Sequence, residues 1–302
     1  MNHRAIWPRV LRYAVSISLI ALIIHYVDWP LLVSSLREAR ILYLLSAAGT
    51  VFVSMAFRAL RWRALLATDP PVRVSDLFLL GFTGIMLNVI LPGSLGDIAK
   101  AYYAHRRTGL KEVIVSSTVL DKLVGLASVF LLGGVAALAQ GISLYTAISL
   151  PLAALFLGVV AFPRVVPWPL FDRLQQRLFR NRIDVGKLRA AFSVAVRRKL
   201  GALGISLLGW LVTAAVFHLV CTAFALPVRF SYVIALVPLI TLARILPITV
   251  SGLGTQEALV VHLFSGMGIT ASDALLVSLA FTLLTTFIPG AIGLLIVWRL
   301  RL

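Results

Sequence analysis

The chain has 302 residues, of which 60% are hydrophobic and only 13% are charged, and its mean hydropathy is +1.00. A soluble domain carries about 25% charged residues, so this composition excludes a soluble globular protein and indicates a polytopic membrane protein. The formal net charge of +17 does not indicate a nucleic-acid partner, because the sequence has no soluble fold on which a basic stripe would lie. We expect a single all-α membrane domain over residues 1–302.

Six stretches are predicted to span the membrane, since a helix needs about 20 apolar residues to cross the hydrocarbon core. They are 13–30, 40–60, 113–139, 143–162, 201–226 and 271–298. The first follows three arginines, as a signal peptide does, but it ends in "HYVDWP" without a small-residue cleavage site. We therefore expect it to be retained as a helix.

Two further apolar stretches, 77–104 and 231–267, are interrupted by Pro and Gly near their middle. Neither half of either stretch is long enough to cross the bilayer comfortably. Basic residues precede and follow the first stretch, as is typical of cytoplasmic segments. The first stretch is therefore predicted to enter and leave from the cytoplasm, and the second from the opposite side.

The distribution of basic residues supports this topology. All but seven of the 28 lysines and arginines fall in predicted cytoplasmic segments outside the spans and the broken stretches, ten of them in the loop 163–200. This bias places both termini in the cytoplasm of a cell (inner or plasma) membrane protein. Within the loop, residues 171–179 have the pattern of an amphipathic helix on the inner leaflet; a solvated linker is the alternative. The predicted fold is all-α, with about six transmembrane helices and two oppositely oriented re-entrant hairpins.

The two breaks resemble each other in sequence. Residues 88–100 are "NVILPGSLGDIAK" and residues 244–260 are "RILPITVSGLGTQEALV". Each has Ile-Leu-Pro, then a Ser, then Leu-Gly, then a carboxylate, which is Asp97 or Glu257. With their flanking spans, residues 40–139 and 201–298 are predicted to form an inverted repeat, as in many secondary transporters.

The composition of the breaks predicts a site for an anionic headgroup. A proline ends each incoming half-helix, and glycines permit tight turns and close backbone approach. Each outgoing half-helix then directs its free N–H groups, which favour anions, toward the protein centre. The candidate substrate-binding residues at the breaks are Asn88, Pro92, Gly93, Ser94, Gly96, Asp97, Lys100, Arg244, Pro247, Ser251, Gly252, Gly254, Thr255, Gln256 and Glu257.

Asp97 and Glu257 have two interpretations. Both lie three residues after a helix start, the spacing of a capping box, and a charge at membrane depth is costly unless it is paired. One hypothesis gives them a substrate, proton or cation role. The other has them cap their helices and pair with Lys100 or Arg244. Asn88, one turn before Pro92, is predicted to bind carbonyls left free by that proline.

Four more charged residues are candidates for substrate binding. Asp121 and Lys122 are adjacent in "TVLDKLVGL" and point about 100° apart on a helix, so each needs another partner, for example an arginine of "RALRWR" for Asp121. A substrate role and a structural ion pair both remain open for them. Arg58 and Arg61 share a helical face and are predicted either to contact anionic lipid or to anchor the helix.

The sequence provides no sign of catalysis. It contains no G-x-S-x-G, P-loop or zinc motif, and the single cysteine, Cys221, excludes disulfides within the chain. We expect no enzyme activity, no metal and no cofactor, and the sequence makes no prediction of the oligomeric state.

The segments "RALRWRALL", "NVILPGSLGDIAKAYY", "VLDKLVGL" and "LPITVSGLGTQEAL", in this order, resemble the flippase-like transmembrane domain of lysylphosphatidylglycerol synthases. The resemblance covers nearly the whole chain and implies movement of lipids between leaflets. Some stand-alone members are linked with glycolipid or hopanoid biosynthesis. The soluble aminoacyl-transferase domain of the two-part synthases is not in this sequence, so we expect that the chain does not make lysyl-lipid itself.

Three functional hypotheses follow. The first is a flippase for an anionic or modified-headgroup lipid, with a phospholipid, a glycolipid or a polyprenyl or hopanoid-type lipid as substrate. The second is a non-catalytic membrane subunit, whose loop 163–200 docks a glycosyltransferase or other lipid-modifying enzyme. The third is a membrane enzyme acting on a lipid headgroup.

Overall fold

The computed structural model describes residues 29–66, 72–90, 96–108, 111–162, 194–245 and 252–300, together with Phe192 and Thr249. All regular structure in these ranges is helical, so the predicted all-α class is confirmed. Nearly all of the predicted span 13–30 and the whole of the predicted helix 171–179 lie outside the described residues. The same holds for Pro92, Gly93, Ser94, Pro247 and Ser251.

In chain order the described helices are α1 (Trp29–Glu38), α2 (Ile41–Leu65), α3 (Val74–Ile90), α4 (Gly96–Thr108), α5 (Lys111–Ala139), α6 (Ser143–Ala161), α7 (Val196–Ala223), α8 (Phe230–Ile245), α9 (Thr255–Ser265), α10 (Ala271–Thr282) and α11 (Ile288–Leu300). A π-helical segment, Leu283–Phe287, joins α10 to α11 without a break.

Five helices in the described part of the chain are long and apolar enough to cross a membrane: α2, α5, α6, α7 and the continuous run Ala271–Arg299. They correspond to five of the six predicted spans. α2 continues to Leu65, beyond the predicted end at residue 60, and α7 begins at Val196, before the predicted start at residue 201. The hydropathy pattern stops at the charged residues, whereas the helices continue because Arg61 and Lys199 find partners inside the protein.

The first broken stretch forms a helical hairpin, which we call hairpin 1 (α3 and α4). Leu77 and Leu80 of α3 share one apolar cluster with Ala101 and Ala104 of α4, so the second helix runs back along the first. The helices touch at Gly96, where a Cβ atom would lie 2.6 Å from the carbonyl oxygen of Gly84. Glycine at this position is therefore required by the close approach of two backbones.

The second broken stretch forms hairpin 2 (α8 and α9). The Tyr232 hydroxyl donates a hydrogen bond to the Leu263 carbonyl (3.4 Å), and Thr255 Oγ1 donates to the Ala243 carbonyl (3.3 Å), so these helices are also antiparallel. Gly252 and Gly254 in the connection have φ values of +79° and +87°. These left-handed conformations explain the two glycines, since residues with a side chain rarely adopt them.

The two hairpins pack reciprocally against the long helices. Gly133 of α5 receives Pro238 of hairpin 2, and a Cβ atom at Gly133 would lie 2.0 Å from the proline ring. In the same way Gly293 of α11 receives hairpin 1, and a Cβ atom there would lie 2.3 Å from the Phe82 carbonyl oxygen. Each hairpin therefore packs its first helix against the last long helix of the other half of the chain.

The outer surface of the helices is apolar, as a bilayer requires. Exposed large side chains include Leu42, Leu144, Leu155, Leu295 and Trp298. Soluble monomers rarely expose so many large apolar residues, whereas hydrocarbon solvates them. The polar side chains that face inward at membrane depth therefore have to be explained by the interior of the protein.

Candidate functional site: a charged central cavity

A cavity of about 170 Å³ lies at the junction of the two hairpins and the long helices. Residues from α2, α3, α4, α5, α7, α8, α10 and the π-helical segment line it. It is smaller than the pockets of about 300–1,000 Å³ that hold drug-sized ligands. Its size suits a small polar group rather than a complete lipid.

The charged side chains of the cavity are mostly basic. Those that line it in the described part of the chain are Arg58, Arg61, Lys100, Lys122, Arg244, Asp97 and Asp121. Five positive charges and two negative charges leave an excess of three positive charges. All seven residues were candidates from the sequence, and the structure brings them together from four different helices.

Asp121 is at the centre of the first ion-pair cluster. The Arg61 guanidinium binds both of its carboxylate oxygens, with Nε–Oδ1 and Nη2–Oδ2 distances of 2.7 and 3.2 Å. Lys100 Nζ lies 3.7 Å from Asp121 Oδ2, and Arg61 Nη1 donates to Ser206 Oγ (2.9 Å). The prediction that an arginine of "RALRWR" pairs with Asp121 is confirmed, and the charge on Arg61 is compensated.

Asp97 is at the centre of the second cluster. Lys122 Nζ donates to Asp97 Oδ2 at 2.5 Å. Asn88 Nδ2 donates to Asp97 Oδ1 (3.1 Å), and the Asp97 backbone N–H donates to Asn88 Oδ1 (3.2 Å). The amide predicted to bind carbonyls freed by Pro92 thus joins the two helices of hairpin 1 through Asp97.

The predicted ion pair of Asp97 with Lys100 or Arg244 is wrong. Lys100 follows Asp97 by almost one turn, but its ammonium group extends toward Asp121 and lies over the Trp62 ring, 4.4 Å from the centroid. The partner of Asp97 comes from α5 instead. A local spacing rule does not reveal this pair, because packing of hairpin 1 against α5 decides which cation is nearest.

Two tryptophans hold cations at the cavity wall. Trp62 lies under Lys100, and Trp210 lies under the Arg58 guanidinium, whose Cζ is 5.6 Å from its ring centroid. Both indoles are held in place: Trp62 Nε1 donates to Ser117 Oγ (3.2 Å) and Trp210 Nε1 donates to the Gly125 carbonyl (2.8 Å). Cation–π contacts of this kind stabilise desolvated cations.

Sequence reasoning missed both tryptophans as site residues. Trp62 carried a usable signal, because it lies one turn after Arg58 and next to Arg61 and is therefore close to their helical face. Trp210 carried none, since its neighbours in the sequence are apolar.

Arg244, at the end of α8, donates a hydrogen bond to Thr286 Oγ1 in the π-helical segment. Thr285 and Thr286 both line the cavity, and the wider turn of a π-helix is frequent at functional sites. These threonines were not predicted. Pro289 was an available signal, because a proline has no N–H for the carbonyl four residues earlier and disturbs a regular α-helix there.

The residues of the second break form a separate polar cluster. Glu257 is 2% exposed. Its carboxylate accepts hydrogen bonds from the Gly254 N–H (2.6 Å), Thr282 Oγ1 (3.3 Å) and Ser278 Oγ (3.5 Å). Gln256 Nε2 in turn donates to both hydroxyls. The predicted ion pair of Glu257 with Arg244 is wrong, because a helix N-terminus and two hydroxyls already satisfy the carboxylate.

The structure therefore divides the predicted site. The cavity lining includes Asn88 and the seven charged residues, whereas Gly96, Gly252, Gly254, Thr255, Gln256 and Glu257 lie outside it within the described chain. Of the two half-helix N-termini, only that of α4 borders the cavity, through Asp97. Both N-termini were predicted to point toward the protein centre, and of their described residues only Asp97 lines this cavity.

Comparison with known protein families matches residues 9–293 to the family described as lysylphosphatidylglycerol synthase TM region. The match includes both hairpins and all of the residues that line the cavity. No curated protein matches the chain.

Proposed function

The chain belongs to the lysylphosphatidylglycerol synthase TM region family, and from this membership and the cavity we propose that it is a membrane flippase that moves an anionic lipid between leaflets. The observation that carries the proposal is the excess of three positive charges among the described residues that line a cavity at the junction of the helical hairpins. A negatively charged headgroup is the ligand that balances such a site.

The energetic task of a flippase is to shield the headgroup while the acyl chains remain in hydrocarbon. An ionised group cannot cross the bilayer centre alone, because its desolvation is too costly. The cavity provides replacement partners in the form of guanidinium, ammonium, hydroxyl and amide groups. Its volume of about 170 Å³ accommodates a headgroup and leaves the acyl chains outside, against the apolar outer surface.

The reciprocal packing supports an inverted repeat of residues 40–139 and 201–298. In each half a long helix is followed by a hairpin and then by another long helix. The contact of Gly133 with Pro238 is matched by the contact of Gly293 with Phe82. In this proposal the hairpins re-enter the bilayer from opposite faces, with both termini in the cytoplasm. Rocking of one half against the other then alternates access to the cavity.

The experiment is a flipping assay in reconstituted vesicles. Fluorescent phosphatidylglycerol is placed in both leaflets, and a membrane-impermeant reductant quenches the label in the outer leaflet. Vesicles with the protein should lose fluorescence beyond the outer-leaflet fraction, whereas protein-free vesicles should not. If the protein acts only as a subunit that holds another enzyme, the purified chain will show no flipping.

Filling the cavity tests whether it is the route of the headgroup. Ser54→Phe and Thr241→Phe each place a ring among residues that line the cavity and should slow flipping by about tenfold or more, a barrier increase of about 1.4 kcal/mol. Thr50→Phe is the matched control, because Thr50 lies on α2 one turn before Ser54 and outside the described lining. Equal rates for Ser54→Phe, Thr241→Phe and Thr50→Phe would contradict the proposal.

A further inference from the structure

The charges of the cavity are not compensated equally. Asp121 binds Arg61 and lies near Lys100, and Asp97 binds Lys122. These contacts occupy the two carboxylates found among the described residues of the cavity lining. In the part of the chain that the structure describes, no carboxylate lies within ion-pair distance of Arg58 or Arg244.

Arg58 and Arg244 nevertheless lie in the same cavity and repel each other electrostatically. Arg58 is exposed on the cavity side of α2 and is in contact with the face of Trp210. Arg244 is held by one hydrogen bond to Thr286. Two cations in one cavity without a carboxylate partner among the described residues are costly, so an anion that binds both would relieve their mutual repulsion.

We propose that Arg58 and Arg244 form a clamp for the phosphate group of the transported lipid; this inference rests on the proposed flippase function and specifies the substrate class. Each planar guanidinium presents several N–H donors in a fixed fork that matches phosphate oxygens. The two arginines come from different halves of the chain, α2 and hairpin 2. A phosphate bound between them would therefore connect the two halves.

The clamp makes a prediction about headgroup selectivity. Lipids whose headgroup has a net negative charge from phosphate, such as phosphatidylglycerol, should be preferred. Neutral glycolipids have no anion for the clamp, and a lysyl-bearing headgroup would bring a further cation beside Lys100 and the two arginines. The expected substrate class is therefore an anionic phospholipid, and the excess positive charge acts against cationic headgroups.

The test compares Arg58→Gln, Arg244→Gln and the double variant with wild type in the vesicle assay. Each glutamine variant should slow phosphatidylglycerol flipping by about tenfold or more, as expected when one partner of a desolvated charge pair is removed. Arg58→Lys and Arg244→Lys should retain more activity than the glutamine variants, because lysine keeps the positive charge but lacks the planar guanidinium donors. Arg229→Gln is the matched control, because Arg229 is exposed and outside the described lining.

A fluorescent lipid without a phosphate group distinguishes a loss of phosphate binding from a general loss of flipping activity. A fluorescent diglucosyl-diacylglycerol should be flipped slowly by wild type and no more slowly by the double variant. Phosphatidylglycerol flipping that is unchanged in the double variant would overturn the clamp while leaving the flippase intact. An equal decrease in the flipping rates of both lipids would also overturn the clamp, because the effect of the arginines would then not depend on the phosphate group.

Inorganic phosphate provides a readout that does not depend on flipping. In detergent, millimolar phosphate at constant ionic strength should raise the melting temperature of wild type and leave that of the double variant unchanged. No rise in wild type would overturn the clamp. Uptake of radiolabelled phosphate into wild-type vesicles that do not flip lipid would show that free phosphate is the substrate, and would overturn the lipid assignment.

Discussion

At the scale of single residues, Asp121 and Lys122 show how adjacent charges are used by different helices. Their side chains point about 100° apart on α5. Asp121 therefore reaches Arg61 of α2 and Lys100 of α4, while Lys122 reaches Asp97 at the N-terminus of α4. Two neighbouring residues thus join α5 to α2 and to both ends of the first turn of α4.

The two ion pairs differ in burial, so breaking them should lower the free energy of unfolding by different amounts. The side chains of Arg61 and Asp121 are only 11% and 6% exposed, whereas those of Lys122 and Asp97 are 25% and 23% exposed. Arg61→Gln leaves a buried carboxylate with Lys100 alone and should lower the free energy of unfolding by about 3 kcal/mol. Lys122→Gln should cost less, because water partly replaces the lost partner. Melting temperatures in detergent measure this order, and a larger loss for Lys122→Gln would contradict it.

Gly96 provides a second prediction at this scale. A Cβ atom there would lie 2.2 Å from the Asn88 backbone nitrogen, so Gly96→Ala should separate the helices of hairpin 1 and weaken the contact of Asn88 with Asp97. Overpacking of this kind costs about 1–3 kcal/mol. Gly201→Ala in α7 is the control, because nothing lies within 4 Å of the added atom and alanine favours the helix. Thermal unfolding should show a loss for the first variant and no loss for the second.

At the scale of elements, the π-helical segment positions one wall of the cavity. The Ile288 N–H donates to the Leu283 carbonyl, five residues earlier. Pro289 cannot donate to the Thr285 carbonyl, which removes one α-helical hydrogen bond at this point. The wider turn allows Thr285 and Thr286 to face the cavity together and lets Thr286 accept a hydrogen bond from Arg244.

Pro289→Ala restores the missing donor and should favour a regular α-helix through residues 283–289. We expect a higher melting temperature, since proline inside a helix costs about 3 kcal/mol, together with slower lipid flipping because Thr286 turns away from Arg244. Thr286→Val is the companion variant, since it removes the hydroxyl without changing the side-chain shape. A stabilised Pro289→Ala protein with unchanged flipping would show that the π-helical turn has no part in transport.

At the scale of the whole molecule, the proposed topology requires each hairpin to begin and end on one side of the bilayer. The antiparallel contacts of α3 with α4 and of α8 with α9 bring the ends of each hairpin together. Basic residues around hairpin 1 predict that its ends lie in the cytoplasm, and the same rule predicts that the ends of hairpin 2 lie on the other side.

Cysteine labelling tests this arrangement. Cys221 is fully buried, and Cys221→Ala provides a background without thiols. Ser75→Cys and Thr108→Cys should react with an impermeant maleimide only from the cytoplasmic side, whereas Phe230→Cys and Ser265→Cys should react only from the opposite side. Labelling of positions 75 and 108 from different sides would contradict the re-entrant topology and the inverted repeat.

Hydropathy and proline placement were enough to predict the long helices and the division of both broken stretches into hairpins. These features are local, because burial in hydrocarbon and the missing proline N–H act on a residue through its own neighbours in the chain. Adjacency on a helix also predicted that Asp121 and Lys122 need separate partners, and one of these, Arg61, was named correctly.

The sequence by itself therefore determined the class of the protein, the five long helices of the described chain and the charged residues that the membrane interior has to accommodate. Only the tertiary structure decided that Lys122 is the partner of Asp97, that Glu257 is satisfied away from the cavity and that Arg58 and Arg244 have no carboxylate partner among the described residues. The physical reason is that an ion pair forms between whichever groups helix packing brings within a few ångströms. That distance depends on contacts between residues far apart in the chain, and local sequence patterns do not encode it.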